Sequence, residues 1–112
     1  GFRAGYIILL NYLERGQNTI QKIVETWAPR PEKAGDDHNE TDAYIEYLAS
    51  KMAMSPAELV TPSDLPFLML HMSNFEGAKG HFTLEQARAG VELAEQEDFV
   101  IARLERLAGV YA

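Results

Sequence analysis

No cysteine occurs among the 112 residues, which removes disulfide frameworks, thiolate metal sites and cysteine nucleophiles together. Basic residues are few: 10 Lys and Arg stand against 17 Asp and Glu, for a formal net charge of -7 and a pI near 4.8. Clustered cations are what bind nucleic-acid phosphates and anionic lipid headgroups, so this balance predicts no nucleic-acid partner and no membrane surface. Long apolar runs are also missing. The longest, Tyr6 to Leu10, falls far short of the ~20 residues a membrane span takes, and no charged, apolar, small-residue signal pattern opens the chain. Apolar and polar residues nowhere alternate between turn formers, so no β-sheet is expected, and neither internal repeats nor low-complexity segments are present.

What is present reads as helix. The hydrophobic fraction of 46% and charged fraction of 24% suit a folded chain with one modest core. Phe2, Tyr6, Leu9, Leu10 and Leu13 recur at helical spacing until Gly16 ends the run, and Gly5 inside it marks a close helix contact. Asn18 or Thr19 caps a second helix with Ile20, Ile23, Val24 and Trp27 on one face, which Pro29 and Pro31 terminate. Residues 30–40 form a polar loop, and Asn39 or Thr41 caps the next helix, carrying Tyr44, Ile45 and Leu48. Ser55-Pro56-Ala57-Glu58 predicts a short helical turn through Val60. Thr61-Pro62-Ser63-Asp64 then starts a helix apolar on most sides, from Leu65 to Phe75, which is the expected centre of the core. Thr83-Leu84-Glu85-Gln86 opens another with Ala87, Val91 and Ala94 inward, and residues 95–107 keep the period, as one long helix with it or bent near Gln96-Glu97-Asp98. The expected fold is all-α, a compact orthogonal array of five to six short helices.

Chemistry is sparse. Glu76 ends an apolar helix beside Phe75, a setting in which desolvation raises a carboxyl pKa toward general-acid use; the ordinary alternative is an exposed last-turn glutamate. A glycosidase needs a second carboxylate, for which Glu40, Asp42 and Asp37 are candidates without a spacing that sets them opposite Glu76. His38, His71 and His81 lack the pairing of a metal site, so no metal and no cofactor is expected. Trp27, Tyr44 and Tyr47 could make an aromatic binding shelf, although helix-spaced aromatics also simply fill cores, and Trp27 is expected against Tyr44 with its indole N–H on a carbonyl. Phe99, Leu104 and Leu107 in the tail helix need a cover, either the body of the domain or a second subunit in a homodimer.

The string Asn18-Thr19-Ile20, Trp27-Ala28-Pro29, Asn39-x-Thr41, Tyr44-Ile45 resembles the core of a family of phage and prophage virion structural proteins. Gly1-Phe2-Arg3-Ala4 is similar to a Gly-(Ile/Phe)-Arg-Ala string of that family, in which an upstream segment ends in Gly-Asn-Ile-Arg. Gly5, Leu9-Leu10, Trp27-Ala28-Pro29, Thr41 and Tyr44-Ile45 also resemble, more distantly, part of lysozyme-like and lytic transglycosylase domains. The resemblance implies a helical domain over residues 1–94, with 95–112 as an added C-terminal helix, and a chain that starts after the upstream segment. It implies partners among virion proteins or peptidoglycan, and a location in the virion or, before assembly, the bacterial cytoplasm. Its enzymatic version is a peptidoglycan-cleaving glycosidase or lytic transglycosylase using Glu76 as the acid. A small acidic adaptor binding a protein through its tail helix is the third expectation.

Overall fold

Thr19 begins the packing of the chain's first half: its side chain accepts the Lys22 N–H at 3.1 Å and so caps α2 (Ile20–Trp27), leaving Ile20, Ile23 and Val24 fully buried. The computed structural model describes residues 1–31, 39–78 and 80–111, and the side chain of Asn39 lies outside that set. Ahead of α2 runs α1 (Phe2–Glu14), closed by Gly16 at a φ of 89°. Then follow α3 (Asn39–Met52), α4 (Leu65–Ser73), α5 (Leu84–Ala94) and α6 (Asp98–Val110). The described residues form six α-helices and no strand beyond a single bridge between Thr19 and Leu59. The protein is all-α, as the periodicity predicts, with a radius of gyration of 14.3 Å, close to the ~13 Å typical of a domain near this length.

The core is one cluster. Leu9, Leu10, Ile20, Ile23, Leu48, Leu65 and Leu68 are fully enclosed, α3 lies against both α2 and α4, and α1 packs on α4, α5 and α6. α4 holds the expected central place, burying Leu65, Leu68, Met69 and Met72; its Phe67 instead turns outward beneath the Arg88 guanidinium.

Several local expectations change. Thr41 is not a cap: it is buried, and its hydroxyl donates to the Ala28 carbonyl at 3.0 Å, tying the start of α3 to the end of α2. The Asn39 capping expectation and the loop at 32–38 fall outside the described residues. Residues 55–60 make turns and no helix. Ser55 Oγ does accept the Ala57 N–H and Glu58 N–H closes one turn on Ser55 O at 3.1 Å, but Val60 N–H bonds Asn18 O at 2.8 Å, which draws the segment away across the head of α2. The bend near residue 96 is real, because Glu97 is extended and separates α5 from α6. α6 lies on the body, with Val100 and Leu107 buried, Glu14 accepting from Arg103 at 3.0 Å and Arg106 at 3.1 Å, and the Tyr111 hydroxyl donating to Val60 O at 2.6 Å.

Candidate functional site

The position of Glu76 follows from the way α4 ends. After Ser73 the backbone widens into one π turn, Asn74–Ala78, which contains Gly77 at a φ of 109°, a conformation taken without strain only where there is no Cβ. Phe75 is thereby carried onto α3, where its ring stacks on Tyr44 at 4.1 Å between centroids and leans on Tyr47 at 5.2 Å. Glu76 is left exposed at the surface.

Two side chains reach it there. The Tyr44 hydroxyl donates to Glu76 Oε2 at 2.9 Å, and the Trp27 indole N–H makes a long contact of 3.5 Å with Oε1. Burial and the adjoining Glu76 carboxylate push the Tyr44 phenol well above its ordinary value, so at neutral pH it stays a donor. Residues separated widely in sequence, from α2, α3 and the end of α4, therefore meet at one carboxylate. The indole does not rest on Tyr44 or bond a carbonyl, as the sequence suggests. It lies nearly edge-on to Tyr12 at 6.5 Å, and the face of the Tyr44 ring is covered by Phe75 instead.

Glu76 stands on the divide between two hollows. On one side is an apolar groove of about 520 Å³ walled by Phe2, Ile8, Met69, Met72 and Phe82, with Trp27 at the Glu76 end. On the other is a more polar cleft of about 590 Å³ bordered by Pro29, Pro31, Glu40, Thr41, Tyr44 and Phe75. Of the candidate second carboxylates, Glu40 shares this cleft with Glu76, Asp42 is engaged by Arg30 at 2.5 Å, and Asp37 lies outside the described residues. Tyr47 borders neither hollow and touches the site only through Phe75. Among the described residues no three of His, Asp and Glu gather as metal ligands. Of the two readings open at position 76, the ordinary one describes the side chain, an exposed glutamate, here with two donors aimed at it.

The site was partly legible in advance. Glu40 and Tyr44 are one helical turn apart and so share a face of α3, a local signal of the cleft. The groove had no such signal, since its walls come from α1, α4 and the segment before α5.

The chain is 28% identical over 93 residues to Protein P5 of Pseudoalteromonas phage PM2, an alignment covering 82% of this chain and 54% of the phage protein. The chain is similar to a phage protein. It spans about half the length of that relative. No family model matches the sequence, and no solved structure matches it significantly.

Proposed function

We propose that the protein is a structural and binding module associated with a phage or prophage virion. The observation that carries this is the similarity to Protein P5 of phage PM2 along most of the chain. A small acidic helical body with two adjoining hollows is consistent with a part that holds other molecules. Mass spectrometry of particles purified from a host that produces them is the test: the chain should copurify with particles through a density gradient at a fixed ratio to the capsid proteins. Recovery only from the soluble lysate would remove the proposal.

A second reading is favoured by one observation, that Glu40 and Glu76 border a single cleft beside aromatic side chains. Two carboxylates across a sugar-sized cleft are what a glycosidase uses, and on this reading the protein is a peptidoglycan-cleaving enzyme of lysozyme-like descent with Glu76 as the acid. Turbidity of a Gram-negative cell-wall suspension should fall with wild type and persist with Glu76→Gln. Persistent turbidity with both proteins at high concentration excludes the enzyme.

The tail supports a third role, a homodimer or adaptor contact through residues 95–112, because Phe99, Ile101 and Val110 remain exposed on α6. Light scattering should then give twice the monomer mass for wild type and the monomer mass for a Phe99→Ser/Ile101→Ser variant. A monomeric wild type ends the dimer version.

A further inference from the structure

We infer that the groove between α1 and α4 is a docking site for a basic, apolar segment of another protein, with one bulky apolar side chain entering the groove and an adjacent Lys or Arg pairing with Glu76. The inference takes from the binding-module proposal only that the protein holds a protein partner, and it adds that partner's chemistry.

The groove is built to receive something apolar. Its floor is Met69 and Met72, whose flexible thioethers adapt to differently shaped side chains. Its rim includes Ile8, 42% exposed, and Phe82, 44% exposed and set edge-on to Phe2 at 5.4 Å. Large apolar side chains scattered singly over a surface need no explanation, but here they border one concave space. Sequence chemistry alone does not demand that arrangement.

Charge selects the occupant. Glu76 is the one ionisable side chain among the described residues walling the groove, and Glu40 borders the adjoining cleft. No Lys or Arg is among the described residues bordering either hollow. Tyr44 and Trp27 hold the Glu76 carboxylate in place before any partner arrives, so little ordering of that side chain is left to be done on binding. A second copy of this chain would bring its own net charge of -7 against the same sign. An uncharged apolar ligand would fill the groove but leave Glu76 without a counter-charge. A segment carrying both an apolar side chain and a cation meets both features.

Trp27 is the single tryptophan, and it borders the groove, so its emission reports occupancy directly. The probe is a peptide of three Lys-Leu-Leu-Lys repeats, compared with three Glu-Leu-Leu-Glu repeats and three Lys-Ser-Ser-Lys repeats. The basic apolar peptide should change Trp27 emission saturably and bind at least about tenfold more tightly than either control. Glu76→Gln should weaken it by about fivefold or more and flatten its salt dependence. Ala4→Glu and Ile8→Glu, both at exposed positions on the groove, should abolish it while far-UV circular dichroism stays that of wild type. Equal binding of the acidic peptide, unchanged binding by both Glu76→Gln and Ile8→Glu, or no saturable change at millimolar peptide each overturns the inference. So does a dimer that Ile8→Glu converts to monomer, since the groove would then belong to a second copy. Copurification of the chain with particles alongside failed peptide binding sinks this inference and leaves the virion proposal standing; the reverse pattern does the opposite.

Discussion

Tyr44 and Glu76, 32 positions apart in the chain, are joined by a 2.9 Å hydrogen bond that fixes the carboxylate over the divide between groove and cleft. The phenol ring is buried against Phe75, so the donor is rigid while the acceptor is exposed. Tyr44→Phe keeps the stacked ring and deletes only that donor. It should lower stability by about 1 kcal/mol, read as a shift of the urea midpoint. It should also change Trp27 emission, because Glu76 is then free to leave the indole. Unchanged emission would mean that the carboxylate is held by something other than Tyr44.

Gly90 decides how near α5 can come to α1. A Cβ at that position would lie 2.6 Å from Phe2 Cβ and 2.8 Å from the Arg3 backbone nitrogen, and neither neighbour can rotate away. Gly→Ala inside a helix ordinarily gains up to about 1 kcal/mol. Here Gly90→Ala should lose about 1–3 kcal/mol through overpacking and should disturb the Phe2 edge of the groove. Gly109→Ala, which meets open space on α6, is the control and should be neutral or mildly stabilising by the same urea titration.

Ala53 closes α3 in the left-handed region, at a φ of 52°, with the Met54 N–H returning to Ala49 O at 3.0 Å. A Cβ is strained in that conformation, and the residue is exposed, so nothing is lost by removing it. Ala53→Gly should raise stability by about 0.5–1 kcal/mol, seen as a higher melting temperature. A fall would show that the chain-entropy cost of glycine outweighs the relieved strain.

Alkaline pH should unfold the protein through its tyrosines. Burial first, and Glu95 second, push the Tyr6 phenol up to about 12, and burial raises those of Tyr44 and Tyr111 as well. A raised folded-state value means that the folded chain keeps protons the unfolded chain has released. The stabilisation is therefore complete below the ordinary value of 10.0 and is lost as pH climbs toward about 12. Urea midpoints should be flat to pH 9.5 or so and then decline, with Tyr6→Phe shallower than wild type.

At the acid end His71 acts in the opposite sense. Burial, and then the nearby Lys51 charge, lower its value below the ordinary 6.5, so the folded state prefers the neutral ring. That contribution is present above 6.5 and disappears as pH falls through the folded-state value. His71→Gln should reduce the loss of stability between pH 6.5 and pH 5, measured by thermal melts; an unaltered slope would assign the acid sensitivity to the carboxylates.

Helix positions were legible because each is announced locally. Thr19 and Thr83 carry the capping oxygens that the first turns use, Gly16 supplies the left-handed stop, and most of the apolar positions at three- and four-residue intervals in α1, α2 and α4 are buried, Phe67 being an exception. Where a local signal failed, a distant backbone group had outcompeted it. Residues 55–60 carry a helix-start pattern, yet Asn18 O takes the Val60 N–H, and no property of Ser55 or Pro56 announces that acceptor.

The chain's own order of residues determined most of the helical segments and several of their ends, since caps, breakers and periodicity act over a few neighbours and need no knowledge of the rest. Which segments meet was settled only by tertiary packing. Gly90 against Phe2, Phe75 in place of Trp27 on Tyr44, and Glu76 between two hollows all depend on shape matching between surfaces far apart in sequence, and that matching exists only once the helices have closed on one another.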